Sequence, residues 1–165
     1  MEADKRGYQY RFRNTAFDFW LFYMTETYHS LAGVVNVVFT AAALMLIISR
    51  YSQANTFFRC LMVLALMFFP IIQPVAIFGR SVKEAEKIKV QTLVSFDGSG
   101  MEIRVDHEGG EHKQFFAWKD VDRMVRRLTF IMIFPDKVHG YLLTNRIVGN
   151  ERAELEKFIR EHLNG

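Results

Sequence analysis

Two apolar stretches decide the architecture of this chain: LAGVVNVVFTAAALMLIIS at positions 31–49 and CLMVLALMFFPIIQPVAIFG at positions 60–79. Neither contains an Asp, Glu, Lys or Arg, and each is followed directly by an arginine, Arg50 or Arg80. The hydrocarbon core of a bilayer is about 30 Å thick, and a helix needs about 20 residues to cross it. The sequence therefore predicts two transmembrane helices, joined into an antiparallel hairpin by the short loop 50–59.

Most charged residues lie outside this hairpin. Positions 80–165 hold 15 Lys and Arg and 14 Asp and Glu, whereas positions 31–79 hold two arginines. The overall hydrophobic content of 50% therefore averages a membrane segment with a soluble one, which excludes a purely soluble single domain. We expect three parts: an N-terminal segment (1–30), the hairpin (31–79) and a charge-rich module (80–165).

The charges that flank the hairpin predict its orientation. Cytoplasmic loops of membrane proteins carry an excess of Lys and Arg. The connecting loop has two arginines, whereas both outer flanks are more basic, with Lys5, Arg6, Arg11 and Arg13 on one side and Arg80, Lys83, Lys87 and Lys89 on the other. We therefore expect a multi-pass protein with both termini, and hence the N-terminal segment and the charge-rich module, in the cytoplasm.

One amide side chain lies within each span, Asn36 in the first and Gln73 in the second. In an antiparallel pair of helices the two fall at similar depth, so we expect a hydrogen bond between them that holds the helices together. No ionisable residue lies within either span, and this argues against a proton relay or an ion-coupled transporter.

An aromatic segment precedes the first span, with nine of the 24 aromatic residues of the chain in its first 30 positions. We expect an interfacial helix over about 15–29 that bends near Gly33 into the first span, because aromatic rings favour headgroup depth. Asp18 and Glu26 are expected to face solvent or headgroups rather than to form a catalytic carboxylate pair. The residues expected at the interface are Phe19, Trp20 and Tyr23.

After Arg80, apolar and polar residues alternate as in half-buried strands. Strand candidates lie at 88–96, 101–106, 114–118, 129–134 and 141–143, with Gly, Asp or Pro in the turns between them. A helix is expected from Asn150 onward, with Leu155, Phe158 and Ile159 on one face. The segment 121–128 has helical spacing although it lies between strand candidates. The module is therefore expected to be α+β, with five or six antiparallel strands and one C-terminal helix.

The order of these parts resembles the YcxB-like family of small bacterial membrane proteins, whose cytoplasmic part is similar to bacterial pleckstrin-homology-like (PH-like) domains. The resemblance is carried by FDGSG at 96–100, WKDV at 118–121 and LTNRI at 143–147. The family usually has a Pro-Lys-Arg-like stretch where this chain has Thr144-Asn145-Arg146, so Arg146 keeps half of that basic pair. The resemblance implies an antiparallel PH-like sheet or barrel with a C-terminal helix, a strand at 121–128, a place in the bacterial inner membrane, and no catalytic residues.

The sequence holds no phosphate-binding loop, nucleophile elbow, zinc-protease helix or paired-cysteine metal site. Cys60 is the only cysteine. His107 and His112 flank a turn and are expected to be exposed hairpin residues, and Trp118 is expected in the core. We therefore expect no enzymatic activity, no metal and no cofactor.

A group of basic residues is the candidate binding surface for anionic lipid or for a partner. Near an anionic leaflet each Lys or Arg contributes ~1 kcal/mol of attraction. The alternative interpretation is a solvated face with ordinary positive-inside charge. The residues concerned are Lys119, Arg123, Arg126, Arg127 and Arg146.

These features favour a non-enzymatic binding or regulatory protein that presents a PH-like domain at the inner face of the bacterial membrane. The expected partners are the lipid bilayer and a protein or peptide, with a second copy of the chain as a further candidate. Nucleic acid is not expected, because the basic residues are mixed with nearly as many acidic ones. A second hypothesis is a small membrane immunity or resistance protein that neutralises a toxin or bacteriocin, which a neighbouring toxin gene would favour.

Overall fold

The computed structural model describes residues 7–107, 110–137 and 139–163. It is an α+β structure of helices and two antiparallel sheets. The chain divides into two compact units. The helical unit comprises residues 15–86, and the sheet unit combines the residues up to Asn14 with those from Lys87 onward.

The helical unit contains α1 (Ala16–His29), α2 (Leu31–Arg50), α3 (Thr56–Met67) and α4 (Gln73–Lys87). A π-helical turn, Phe68–Ile72, joins α3 to α4 into one long helix. Two helices are long and apolar enough to cross a membrane, namely Leu31–Arg50 with 20 residues and Thr56–Lys87 with 32. The second is longer than the apolar stretch 60–79, because the Lys- and Glu-containing segment after Arg80 continues the helix.

The two prolines of the second apolar stretch lie where its helix departs from α-helical geometry. Pro70 lies inside the π-helical turn, and Pro74 is the second residue of α4. Proline has no N–H to donate and its ring clashes with the carbonyl of residue i−4, so a π turn accommodates it better than a regular α turn. The two prolines therefore account for the irregular turn in this helix.

Helix α1 begins with a capping box, which corrects the expectation for Asp18. The Asp18 carboxylate accepts hydrogen bonds from the Thr15 N–H at 2.8 Å and the Thr15 hydroxyl at 2.9 Å, and the Asp18 N–H donates to Thr15 Oγ1 at 3.3 Å. Asp18 is 1% exposed, so it does not face solvent. Its carboxylate serves the first turn of the helix, where unpaired N–H groups favour negative charge.

The chain turns sharply between α1 and α2 at Ser30. A Cβ on Gly33 would lie 2.4 Å from the carbonyl oxygen of Tyr28, so only glycine fits this close approach. The expected bend near Gly33 is therefore present as a break between two helices.

The sheet unit contains two antiparallel sheets. Sheet 1 has the order β1-β2-β3-β4, formed by β1 (Tyr8–Phe12), β2 (Thr92–Phe96), β3 (Gly100–His107) and β4 (Gly110–Ala117). Sheet 2 has the order β5-β6-β7, formed by β5 (Arg123–Arg126), β6 (Phe130–Phe134) and β7 (Tyr141–Thr144). No strand pairing joins the two sheets within the described ranges, so they do not close into a barrel.

Three strands differ from the expectations. Strand β1 was not expected, because its five residues lie in the N-terminal segment and pair with a strand eighty residues later. Strand β2 begins at Thr92 rather than at 88, and β4 begins at Gly110 rather than at 114.

The strand that the resemblance implies within 121–128 is present as Arg123–Arg126. It is paired with β6, and this pairing overrides the helical spacing of the segment.

The core of the sheet unit lies between the two sheets and the C-terminal helices α5 (Asn145–Val148) and α6 (Arg152–Leu163). Helix α6 begins two residues later than expected, after a 3₁₀ turn at Gly149–Glu151. The indole of Trp118 is 8% exposed, donates to the Asp97 carbonyl at 2.8 Å and stacks on Phe96, so Trp118 is a core residue as expected. The most deeply buried side chains include Val94, Phe96, Met101, Ile131, Ile133, Leu143, Leu155 and Ile159.

A side-chain hydrogen bond connects strand β1 to the chain just before α6. The Tyr10 hydroxyl donates to Glu151 Oε2 at 2.9 Å, next to the start of α6. Burial, reinforced by this carboxylate, raises the pKa of the Tyr10 phenol well above its ordinary value. Tyr10 therefore remains a neutral donor throughout the physiological pH range.

The turn between β2 and β3 depends on the carboxylate of Asp97. This group accepts hydrogen bonds from the Ser99 hydroxyl, the Ser99 N–H at 2.7 Å and the Gly100 N–H at 3.0 Å. The bond from the Ser99 hydroxyl lowers the pKa of Asp97 most, and the backbone N–H groups lower it further.

We predict that Asp97 makes the stability of the sheet unit fall in acid. Because its folded-state pKa lies below the ordinary aspartate value of about 3.9, its contribution is present above that value and is lost as the pH falls through the folded pKa. Asp97→Asn should be less stable than the wild type at pH 6, and the difference should shrink towards pH 2. Ser99→Ala should retain part of the pH dependence. Urea unfolding of the full chain in detergent, followed by near-ultraviolet circular dichroism, measures both, and a constant difference across this range would contradict the assignment.

Candidate binding surfaces

The helical unit is held together by polar contacts between its apolar helices. Asn36, which is 4% exposed, donates from Nδ2 to Gln73 Oε1 at 2.9 Å, the pairing expected from the sequence. Within α2, Thr40 donates to the Asn36 carbonyl at 2.7 Å. Because both amides of the pair find partners, neither is left as an unpaired polar group beside the apolar helix surfaces. The pair links α2 to the first residue of α4.

The aromatic residues of α1 contact α4. Trp20 donates from its indole to the Pro74 carbonyl at 3.0 Å, and the Arg80 guanidinium lies 4.6 Å from the centre of the Tyr23 ring. Phe19, Trp20 and Tyr23 are all partly buried. These contacts attach α1 along α4, and the expected place of the three residues at a membrane interface stays a prediction.

An apolar groove of about 290 Å³ lies beside these contacts. Its walls are Phe17, Trp20, Pro74, Val75 and Phe78. The groove offers apolar cover and no polar group that would select a ligand, so it does not define a specific site.

Two of the basic residues expected to form one binding surface lie on opposite faces of strand β5. Successive residues of a strand point to opposite faces, so Arg123 and Arg126 lie on different faces of sheet 2. The Arg123 guanidinium packs 4.4 Å from the Phe134 ring and pairs with Asp122 at 2.8 Å. Arg126 is paired with Ile131 on β6, and its side chain reaches Glu156 on α6.

Arg126 belongs to an ion-pair network with a structural role. Glu156, whose side chain is 7% exposed, pairs with Arg126 Nε and with Arg152 Nε, each at 2.8 Å. Arg152 also donates to the carbonyls of Arg127 and Leu128 and to Asn145 Oδ1. The network therefore ties α6 to the β5–β6 turn, where its cations are already engaged.

The other three basic residues lie elsewhere, with Arg127 partly buried directly after β5. Arg146 donates to the Arg13 carbonyl at 3.3 Å, and Lys119 is exposed in the 3₁₀ turn Trp118–Asp120. The structure thus does not bring the five sequence-selected residues onto one face.

Sheet 1 contains a row of cations that the sequence analysis did not find. Its register aligns Arg11, Leu93, Arg104 and Lys113 across all four strands, on the face opposite the core. Glu102, two residues before Arg104, pairs with Lys113 Nζ at 3.1 Å and with the Arg104 guanidinium. The bond from Arg104, followed by that from Lys113, lowers the pKa of Glu102. No local pattern reveals this row, because its members are brought together only by strand pairing.

The two hairpin histidines are not directly opposite each other, because His112 pairs with Val105 and His107 with Gly110. Within the described ranges, no group of three or more His, Cys, Asp or Glu is placed to hold a metal ion.

We predict that Glu156 is the costliest charge to remove from the sheet unit. Glu156→Gln leaves Arg152 without its buried partner and should lower the free energy of unfolding by ~2–3 kcal/mol, at or just below the range for broken buried pairs. The matched control is Glu161→Gln on the same helix, where the exposed pair with Lys157 spans 3.9 Å, and its cost should be ~0.5 kcal/mol or less. Urea unfolding measures both, and equal costs would refute the structural role.

We also predict a measurable coupling between Asn36 and Gln73. A double-mutant cycle of Asn36→Ala and Gln73→Ala should give ~0.6 kcal/mol, the usual value for interhelical hydrogen bonds in membranes. In the described part of the chain, Ser49 donates to the Leu46 carbonyl of its own helix, so a cycle of Ser49→Ala with Gln73→Ala should give a coupling near zero. Unfolding in mixed detergent micelles measures the coupling, and equal values in the two cycles would contradict the bond.

Comparison with known proteins adds no information about these surfaces. No family model, no curated protein and no solved structure matches it.

Proposed function

We propose that the protein is a non-enzymatic binding module held in the bacterial inner membrane by a two-span hairpin. The observation that carries this proposal is the exposure of the long apolar helices. In the most apolar part of each helix, only 17% of residues in Leu31–Arg50 and 6% in Thr56–Lys87 are buried. The core helix of a water-soluble protein would bury such residues, whereas lipid would cover them here.

The exposed side chains are large and surround the helices. Leu31, Met45 and Ile48 are 73–80% exposed on α2, and Phe57 is 71% exposed on α3. In water this surface would be an aggregation hazard. A bilayer removes the hazard and leaves the polar pair Asn36–Gln73 as a contact inside the hairpin.

The sheet unit supplies the part that would meet a partner. Its two antiparallel sheets and C-terminal helices form a compact α+β unit, and we propose that this unit is a PH-like domain, as the resemblance implies. The register places Arg11, Arg104 and Lys113 on the outer face of sheet 1, with Glu102 between the last two and with Asp106 and Glu111 at the far end of the same face. We propose this face, rather than the residues of β5, as the surface for an acidic partner.

Both connections between the units leave sheet 1 at the same end. Strand β1 runs into the helical unit after Phe12, and the chain returns to β2 at Thr92, its paired residue. An even number of spans returns the chain to the side from which it left. Together with the basic flanks, this supports a cytoplasmic place for both termini.

Membrane integration tests the proposal. The full-length protein should stay in bacterial membranes during alkaline carbonate extraction. Val37 and Val38 are each 62% exposed on α2, so Val37→Asp with Val38→Asp places two carboxylates against lipid at ~2.5–3.5 kcal/mol each. This variant should lose most of its extraction-resistant fraction.

The matched control replaces exposed apolar residues of the sheet unit. Phe115 is 53% and Leu128 is 87% exposed, and Phe115→Asp with Leu128→Asp should leave the extraction-resistant fraction unchanged. Protease protection of terminal tags in spheroplasts should show both termini inside. Release of the wild type by carbonate, or equal behaviour of the two double variants, would refute the membrane hairpin.

A further inference from the structure

Strand β4 is an open edge of sheet 1. Among the described strands it pairs with β3 alone, and within the described ranges no backbone bond outside this pairing involves Lys113 or Phe115. The side chains of His112, Lys113, Gln114 and Phe115 are all exposed. Long open edges carry a row of unpaired N–H and C=O groups and are templates for pairing with another strand.

The turn before β3 fixes which residues of β4 direct their backbone outward. Asp97 N–H donates to the Gly100 carbonyl at 3.0 Å, which makes this a hydrogen-bonded pair. Hydrogen-bonded and non-hydrogen-bonded pairs alternate along an antiparallel ladder. Ile103 therefore bonds to Gln114 on β4, and the N–H and C=O groups of Lys113 and Phe115 point away from β3.

The sequence of β4 is complementary to itself in one antiparallel register. A two-fold axis at Gln114 pairs residues 111–117 of each copy and sets Lys113 opposite Phe115 of the second copy. A cation facing an aromatic ring is favourable, and Phe115 gains cover. An axis at Lys113 would oppose two lysines, which is unfavourable, and an axis at His112 or Phe115 would pair fewer residues of the strand.

The charge of Lys113 does not prevent this contact. Its ammonium group lies 3.1 Å from Glu102 on β3, so it is partly neutralised within its own copy. An interface of one strand is small, and it gains from the high effective concentration of two chains confined to one membrane. In this respect the inference rests on the proposed function.

We propose that β4 binds β4 of a second copy of this chain, with the two-fold axis at Gln114, and joins two copies of sheet 1 into one continuous sheet. Such an interface is isologous, as in most homodimers.

Disulfide cross-linking in isolated membranes tests the register. The exposed Cys60 is first replaced by Ser. Gln114 would then face Gln114 of the second copy in a non-hydrogen-bonded pair, with Cα atoms about 4.5 Å apart, a spacing that a disulfide spans. Gln114→Cys should give mostly disulfide-linked dimer after mild oxidation.

Two control variants use the neighbouring positions. Each of Lys113→Cys and Phe115→Cys would lie diagonal to its own copy, at ~7–8 Å or more, which is too far for an unstrained disulfide. Both should remain largely monomeric. Equal cross-linking at all three positions, or cross-linking of Gln114→Cys to a different protein, would overturn the proposal.

A charge variant separates the interface from the fold. Phe115→Lys sets a lysine opposite Glu102 within the copy, which favours the β3–β4 hairpin, and opposite Lys113 of the second copy, which disfavours the dimer. In the Gln114→Cys background it should lower the dimer yield about threefold or more. An unchanged yield would also refute the interface.

The same membranes report on the proposed function separately. If the protein resists carbonate extraction but Gln114→Cys stays monomeric, the strand pairing fails and the membrane hairpin stands. If carbonate releases the wild type, the membrane proposal fails independently of any cross-link.

Discussion

Between Tyr8–Phe12 and Thr92–Phe96 runs a ladder of five residue pairs, and its last pair, Phe12 with Thr92, encloses 79 intervening residues. The entropic cost of closing a loop grows only with the logarithm of its length, and here most of the enclosed chain is ordered as helices. The ladder contributes Tyr10 and Phe12 to the core of the sheet unit. Without it, sheet 1 would lack an edge strand and β2 would be exposed. The whole helical unit is thus an insertion between two neighbouring strands.

Within this insertion, the need to cover backbone and amide groups determines the detail. Where lipid covers α2 and α3, as proposed, water is absent as a hydrogen-bond partner. Asn36 and Gln73 therefore bond to each other, and the Trp20 indole donates to the Pro74 carbonyl. The sheet unit has the opposite character. Its buried charge, Glu156, is satisfied by two arginines, and its cations on sheet 1 surround a carboxylate. In the proposed membrane arrangement, the two units of the chain therefore satisfy their polar groups in different ways.

The sequence was informative where a signal is local and long. The two apolar helices, the helix before them, the Asn36–Gln73 pair and the order of most strands follow from runs and periods that any window of the chain displays. Strand β1 and the cation row of sheet 1 do not, because their partners are far away in sequence and only the register aligns them. Asp18 was misplaced for a different reason. It lies three residues after Thr15, so its carboxylate completes a capping box with Thr15 instead of facing solvent. Arg123 and Arg126 are three residues apart, so the strand places them on opposite faces, whereas a helix would place them on the same face.

The insertion of the hairpin between β1 and β2 also constrains how such a chain is made. Strand β1 leaves the ribosome first and has to wait until both long helices and β2 have been synthesised before it can pair. If only one helix crossed the bilayer, β1 and β2 would be left on opposite sides and sheet 1 could not be completed. In the proposed topology, sheet 1 is therefore completed only in chains whose second helix has returned to the side from which the first one started.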